Sequence, residues 1–210
     1  MSEPTRDATG APDAAVSDGR LLRGTRSRRT ILRQAVDVAS LEGLNGLSFG
    51  RLAADLGLSK SGIQTLFRTK DDLQVATAEF ARDLFLDAVI SPALASAAPG
   101  AARLRALVEG WIEYARSPLF AGGCFWAANL ADFDSRPGAV RDTLFRHQRD
   151  WRALIAAEVR HTARADLDAD VVAFQIDAVL IAANTALRLG DDEVVDTVRR
   201  VVEGFLTPAP

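Results

Sequence analysis

Apolar residues recur at intervals of three and four along most of this 210-residue chain, which is the spacing of one face of an α-helix. No segment shows the sustained apolar–polar alternation, bounded by turn residues, that indicates a strand. The sequence therefore predicts an all-α protein. The predicted helices span residues 25–42 (beginning at Thr25 or Ser27), 48–56, 59–66, 69–90, 101–116, 122–134, 138–164, 168–189 and 191–206.

Two of these helices are short and are joined by a tight turn. Ser48 and Ser59 precede them, and a serine hydroxyl at this position accepts from the first free backbone N–H groups of a helix. Gly57 follows the first of them, where glycine adopts a left-handed backbone without steric cost. Such a pair is a helix-turn-helix, and in DNA-binding versions the second helix enters the major groove.

The next predicted helix connects this module with the rest of the chain. Thr69 is expected to cap it, and Ser91-Pro92 is expected to end it at Ile90, because proline lacks the N–H that continues a helix. Further breaks are expected at Ser117-Pro118 and at Gly190.

The helix-turn-helix resembles the DNA-binding signature of the TetR/AcrR family of bacterial transcriptional regulators. The similarity covers about residues 24–75 and is carried by Ala53, Gly57, Leu58, Ser59, Lys60, Ser61, Phe67, Lys70 and Leu73, with Ile31, Leu32, Ala35 and Gly43 upstream. The resemblance implies operator binding, pairing of two copies and an inducer held in a helical C-terminal domain. The family usually has tyrosine, and often histidine two residues later, where this chain has Gln64 and Leu66.

Charge is distributed unevenly along the chain. Residues 20–70 contain ten Lys or Arg and three Asp or Glu, a balance of +7, whereas residues 71–210 have 14 against 21, or −7. Residues 1–19 hold one Arg against four acids and mix Ala, Pro, Gly and Asp without periodicity. We therefore expect a disordered tail over 1–19, a DNA-binding domain over 20–70 and a ligand-binding and dimerisation domain over 71–210. The basic segment taken alone also fits a merely solvated face.

The predicted DNA contacts fall into two groups. Side chains on the second short helix are expected to face the bases, with Gln64 placed to pair with adenine and Lys60 with guanine. Basic and hydroxyl side chains around it are expected to bind phosphates, which position the protein without specifying sequence. The base-reading set is Lys60, Ser61, Gln64 and Thr65, and the phosphate set is Thr25, Arg26, Arg51 and Lys70.

Aromatic residues are concentrated in the middle of the helical body, with polar residues among them. Such residues are often plain core, but an apolar cavity with a few convergent polar groups is typical of a small-molecule site. The expected pocket consists of Trp111, Tyr114, Phe125, Trp126, Asn129, Trp151, Phe174 and Asp177.

The last two predicted helices carry apolar residues over a wide arc, interspersed with alanines that allow close approach. Burial inside one chain is one explanation, and a four-helix interface with a second copy is the other. Two reading helices related by a two-fold axis would read paired half-sites. The residues expected at this interface are Val179, Ala182, Ala186, Val198 and Val202.

No pattern in the sequence supports catalysis, a cofactor or a metal site. His147 and His161 are fourteen positions apart, which is not a metal-ligand spacing, and Cys124 among aromatic neighbours is expected to be buried and inert. With one cysteine, no apolar leader and no uncharged apolar run of 18 residues, a soluble cytoplasmic protein is expected. The predicted function is a homodimeric repressor released from a palindromic operator by a small apolar or aromatic effector.

Two alternatives remain open at this point. The chain fits an activator or architectural DNA-binding protein whose body is filled and binds no inducer. It also fits a helical enzyme or adaptor that has lost DNA binding, although the basic module argues against this class.

Overall fold

The computed structural model describes residues 13–116 and 119–207, with side chains from residue 25 onward. All regular structure in these ranges is helical, which confirms the all-α prediction. The α-helices are α1 (Asp13–Glu42), α2 (Phe49–Leu56), α3 (Lys60–Leu66), α4 (Lys70–Phe85), α5 (Ser91–Ser96), α6 (Ala101–Arg116), α7 (Phe125–Phe133), α8 (Ala139–Arg160), α9 (Ala169–Arg188) and α10 (Val194–Leu206). A 3₁₀ turn, Leu44–Gly46, follows α1, and a π-helical segment, Leu86–Ile90, joins α4 to α5.

Helices α2 and α3 form the predicted helix-turn-helix. The Ser48 hydroxyl accepts from the Arg51 N–H at 3.1 Å, and the Ser59 hydroxyl accepts from the Gly62 N–H at 3.1 Å. Gly57 ends α2 with a φ of 64°, the left-handed conformation that glycine adopts at least cost. Helix α2 packs on α1 and α3 packs on α2, and Leu52, Ile63 and Phe67 join the buried core that they share with α1.

Helix α1 begins earlier than expected. Its backbone is helical from Asp13, so residues 13–19 differ from the disordered tail predicted for them, and the start at Thr25 or Ser27 is replaced by a longer helix. Ala, Leu and Arg, which are frequent among residues 14–23, are strong helix formers, and extending an existing helix costs little. Residues 1–12 and the break predicted at Ser117-Pro118 lie outside the described residues.

The predicted end of the connecting helix at Ile90 is wrong. Thr69 caps α4 as expected, in a reciprocal capping box with Asp72, but the chain stays helical through Pro92 to Ser96. Proline interrupts an α-helix because it lacks an N–H and its ring meets the carbonyl four residues earlier. Here the wider π segment directly before Pro92 changes that register, so the helix continues.

Several other helix ends are displaced by a few residues. Helix α7 begins at Phe125 instead of residue 122, because Gly122 and Gly123 form the turn before it. Helix α8 ends at Arg160, four residues short of the prediction, and α10 begins at Val194.

The helix-turn-helix module is joined to the body at the C-terminal end of α1. The buried Asn129 of α7 accepts from the Leu44 N–H at 2.6 Å and donates to the Ala39 carbonyl at 3.1 Å. In the turn before α7, the Gly122 N–H donates to the Ser40 hydroxyl at 2.9 Å. The first bond satisfies the Leu44 N–H in the turn after α1, and the other two connect the end of α1 with α7 and the turn before it.

Helix α9 is apolar on two opposite sides. One side is buried against α8 and α10 through residues such as Val172, Ile176 and Leu180. By length and composition α9 alone among the described helices could cross a membrane, with 39% of that window buried. Its buried side also carries Asp177 and Asn184, which identifies a helix packed in a protein interior.

Replacement of Gly122 tests the junction. A Cβ at this position would lie 2.0 Å from the Ser40 carbonyl oxygen, so Gly122→Ala must push α1 and the turn apart. We expect it to lower the free energy of unfolding by about 3 kcal/mol or more.

The matched control is Gly204→Ala on α10, where a Cβ meets nothing within 4 Å and helix propensity improves. Urea unfolding followed by circular dichroism measures both. Equal midpoints for the two variants would contradict the close approach.

Candidate functional sites

The outward side of α3 carries the residues predicted to read bases. Lys60, Ser61, Gln64 and Thr65 are all exposed, while Ile63 on the opposite side is fully buried. The Thr65 hydroxyl donates to the Ser61 carbonyl at 2.9 Å, so it is already engaged within the helix. The ammonium of Lys60 and the amide of Gln64 are therefore the longest polar groups that this surface presents.

Three of the predicted phosphate contacts lie at the edges of the same module. Thr25 and Arg26 are exposed on α1. Lys70, at the start of α4, is exposed and donates from Nζ to the Asn45 carbonyl at 2.8 Å. An ammonium held in this way keeps its positive charge at the surface.

Arg51 is engaged differently from the expected phosphate contact. Its guanidinium forms a two-bond ion pair with Glu42 at the end of α1 and lies 3.6 Å from Asp55. The hydrogen bonds from Arg51 hold the pKa of the Glu42 carboxyl below its usual value. Arg51 thus ties α1 to α2, and a phosphate would have to compete with two carboxylates for it.

The helical body encloses a cavity of about 270 Å³ between α4, the π segment and helices α6 to α9. Its lining is mostly apolar and includes four of the eight residues predicted from the sequence: Trp111, Trp126, Trp151 and Asp177. Arg82 of α4 and Asp150 of α8, 3.9 Å apart, are more exposed and lie at its rim.

Phe85, the last residue of α4, is the centre of the aromatic wall. Its ring meets Tyr114, Trp126 and Trp151 edge to face, at centroid distances of 5.1, 5.2 and 5.4 Å. Such edge-to-face contacts are favourable beyond the area that they bury. The cavity is therefore built against the connecting helix itself.

The buried carboxylate and the imidazole of the cavity come from α9 and α8. Asp177 is buried and is held by Arg152 at 2.6 Å and by the Gln148 amide at 3.2 Å. His147 is also buried, and its Nε2 lies 3.1 Å from the Glu79 carboxylate of α4. Burial lowers the pKa of His147 despite the opposing effect of Glu79, so the ring is neutral at pH 7.

The other four predicted pocket residues do not line the cavity. Tyr114 and Phe125 are core residues behind it, where the Tyr114 hydroxyl accepts from the Phe125 N–H at 2.8 Å. The amide of Asn129 is fully used by backbone groups at the junction. Phe174 is 55% exposed on the outside of α9, beneath the Arg152 guanidinium.

Sequence reasoning missed Phe85 and His147 as cavity residues. His147 lies three residues after Leu144 and four before Trp151, on the apolar stripe of α8, and that spacing was a usable signal. Phe85 is the last residue before the π segment, a feature that often marks functional sites, but the sequence does not reveal where a π turn forms.

The residues predicted at a dimer interface divide into two groups. Val179 and Ala186 of α9 are partly exposed and Ala182 is exposed. Val198 and Val202 of α10 are 0% and 3% exposed, because they pack inside this chain against α6 and α9, so their assignment to an interface is wrong. An exposed stripe of α9 remains, formed by Val171, Phe174, Ala178, Ala182, Thr185 and Leu189.

Cys124 lies in the cavity wall and is buried. Its N–H donates to the Asn184 amide oxygen at 2.8 Å, and burial raises the pKa of its thiol. A thiol is unreactive when its pKa is raised, because only the thiolate is a good nucleophile. Among the described residues no group of three or more His, Cys, Asp or Glu is arranged to hold a metal ion.

Comparison with protein families finds a match for the C-terminal part of the chain. Residues 100–202 match the family model described as tetracyclin repressor-like, C-terminal domain. This match covers 103 of the 210 residues, so the C-terminal part of the chain is similar to that domain, and the shared fold agrees with the similarity. A comparison with curated protein sequences found no significant match.

Solved structures of TetR-family regulators share the fold over nearly their whole length. One from Chloroflexus aurantiacus J-10-FL is 22% identical, with a TM-score of 0.76 over 88% of this chain and 94% of that one. One from Streptomyces coelicolor is also 22% identical, with a TM-score of 0.76 and coverages of 88% and 95%. AibR in complex with isovaleryl coenzyme A and operator DNA is 19% identical, with a TM-score of 0.70 and coverages of 87% and 99%.

The buried environment of Cys124 predicts that its thiol reacts slowly with thiol reagents. In the folded protein at pH 7.5, we expect Ellman's reagent to modify Cys124 at least about a hundredfold more slowly than in guanidinium chloride, because the thiol is buried and protonated. Release of thionitrobenzoate measures both rates. A folded-state rate close to that of the unfolded chain would contradict the inert assignment.

Proposed function

We propose that this chain is a cytoplasmic, homodimeric repressor that leaves a palindromic operator when a small apolar or aromatic effector occupies the cavity. The observation that carries the proposal is the position of the cavity, whose wall includes the helix that continues from the DNA-reading module. The volume, about 270 Å³, is slightly below the range of about 300–1,000 Å³ that is typical of small-molecule sites. A small ligand that buries most of its surface fits this space.

Helix α4 is the physical link between the two sites. It begins four residues after α3 ends, and it packs against both α1 and α8. From the same helix, Phe85 and Arg82 line the cavity while Glu79 bonds to His147. A ligand that displaces α4 at the cavity therefore changes the position of the reading helix.

Base reading is assigned to the exposed side of α3. Gln64 offers an amide that pairs with the N6 and N7 groups of adenine, and Lys60 offers a donor to guanine. Ser61 and Thr65 would contribute shorter contacts. Arg26 and Lys70, with Thr25, are assigned to phosphates at either side, whereas Arg51 supports α2 through its ion pairs.

Dimerisation is assigned to the exposed stripe of α9. An apolar stripe along a whole 20-residue helix is costly in water, and a second copy related by a two-fold axis would cover it. The small side chains of Ala178 and Ala182 allow close approach of two helices. Pairing also positions two copies of α3 for two half-sites.

The alternative of a regulator without an inducer is less favoured, because it requires a filled body and the body contains a cavity. An activator would differ from a repressor only in the sign of regulation. The position of the operator relative to the promoter distinguishes an activator from a repressor. The comparisons favour a regulator over an enzyme.

Selection of bound sites from a random DNA pool tests the DNA-binding part. The purified chain at physiological salt is expected to select a palindrome with half-sites about one or two helical turns apart. Gln64→Ala is expected to lose discrimination at one symmetric pair of positions by roughly 5- to 150-fold, since each bidentate pair is worth about 1–3 kcal/mol.

Arg26→Ala is the matched control for this selection. It removes one phosphate contact from each protomer and is expected to weaken all sequences alike, lowering the salt dependence by about two counterions per dimer. Failure to enrich any sequence would overturn the repressor proposal. An unchanged preference in Gln64→Ala would overturn the role of Gln64 alone.

A charged substitution tests the dimer surface. Ala182→Arg introduces two cations at the centre of a close two-fold contact, and we expect it to convert the dimer to monomer at micromolar concentration. Thr197→Arg, on the exposed side of α10, is the control and should remain dimeric. Light scattering coupled to size exclusion measures the mass, and a wild-type monomer or a dimeric Ala182→Arg variant would refute this surface.

A further inference from the structure

Two buried polar atoms in neighbouring rings of the cavity wall have no protein partner. Among the described residues, Trp126 Nε1 and His147 Nδ1 are the only fully shielded side-chain nitrogen or oxygen atoms without a hydrogen bond. The two rings lie edge to face with centroids 6.2 Å apart, and both line the cavity. A buried polar atom left unpaired costs free energy, so a ligand that pairs with it gains affinity.

The chemistry of the two atoms is complementary. An indole nitrogen is only a donor. The His147 Nε2 faces a carboxylate, which only accepts, so the imidazole proton belongs on Nε2 and Nδ1 carries a free lone pair. The lowered pKa of His147 agrees with this neutral form. The wall thus presents one donor and one acceptor on two rings that are in contact.

We propose that the effector carries a neutral hydroxyl group on an aromatic or apolar frame, and that this hydroxyl accepts from Trp126 Nε1 and donates to His147 Nδ1. The inference deepens the proposed function and rests on the cavity being the effector site. A hydroxyl is the smallest group that supplies an acceptor and a donor at one atom. The frame would lie against the apolar side chains of Phe85, Trp111 and Trp151.

The place of this contact also connects it with the DNA-binding module. Both atoms are shielded from solvent in the structure. A hydroxyl that reaches them must therefore move apart the rings of Trp126 on α7 and His147 on α8. His147 is bonded through Nε2 to Glu79 of α4. Movement of the His147 ring is therefore transmitted to α4 by a direct hydrogen bond.

Three probes of nearly equal shape separate the polar contact from simple burial. Equilibrium dialysis of the full chain with 2-naphthol, 2-methoxynaphthalene and naphthalene compares a hydroxyl, an acceptor alone and no polar group. We expect 2-naphthol to bind roughly 10- to 100-fold more tightly than naphthalene, with the ether between them, since each hydrogen bond contributes about 0.5–1.5 kcal/mol.

Side-chain variants assign the two bonds. Trp126→Phe removes the donor, and His147→Gln keeps an amide near the Nε2 position while removing the acceptor at Nδ1. Each is expected to reduce the advantage of 2-naphthol over naphthalene by about 3- to 10-fold. His161→Gln, at the exposed histidine after α8, is the matched control and should leave that advantage unchanged.

The outcomes distinguish this inference from the proposed function. Equal binding of the three probes would overturn the hydroxyl contact and leave the cavity as an apolar effector site. No binding of any probe would overturn both the hydroxyl contact and the effector site, while site selection from DNA would still report on the reading helix. The comparison of probes on the wild-type chain decides the matter even if a variant fails to fold.

Discussion

The amide of Asn129 is the interaction on which the arrangement of the two domains depends. It is fully buried, and it binds a carbonyl near the end of α1, the N–H of Leu44 in the next turn and the Phe125 carbonyl of its own helix. A substitution that removed this amide would leave the buried N–H of Leu44 unpaired, at a cost of about 1–3 kcal/mol. The DNA-reading module is thus held to the body by directional bonds, which fix its orientation more sharply than apolar contact alone.

Helix α4 supplies the second connection, and it differs in character from the first. Its contacts with the cavity are the aromatic cluster around Phe85 and the bond from Glu79 to His147, with the Arg82–Asp150 ion pair at the rim. The exposed ion pair contributes little to stability. In the proposed function, one end of the module is held at α7 and the other would respond to a ligand in the cavity. A hinge of this kind converts a small displacement at a ligand into a rotation of α3.

The fold follows from local sequence signals to a large extent, and the cavity does so only in part. Caps at Ser48, Ser59 and Thr69 and the glycine at 57 are confirmed because they act within one turn of their helix. The helix was predicted to end before Pro92, but a π turn keeps the chain helical there, and no local residue pattern indicates such a turn. Asn129 and Phe174 were predicted to line the pocket and do not. Residue type shows that a side chain is polar or aromatic, but it does not show which neighbour the side chain contacts. The apolar pattern of α10 likewise does not show whether Val198 and Val202 contact a second copy or the interior of this chain, where they are buried.

The central claim is that the cavity and the reading helices are coupled, and reciprocal binding tests it most directly. The affinity of the chain for 2-naphthol is measured by equilibrium dialysis with and without a saturating amount of the selected operator duplex, and operator affinity is measured with and without saturating 2-naphthol. The account predicts that each ligand weakens the other by the same factor, about 5- to 150-fold for a typical coupling of 1–3 kcal/mol. If 2-naphthol binds equally well with and without operator, the cavity and the DNA-binding module are independent and the account is contradicted.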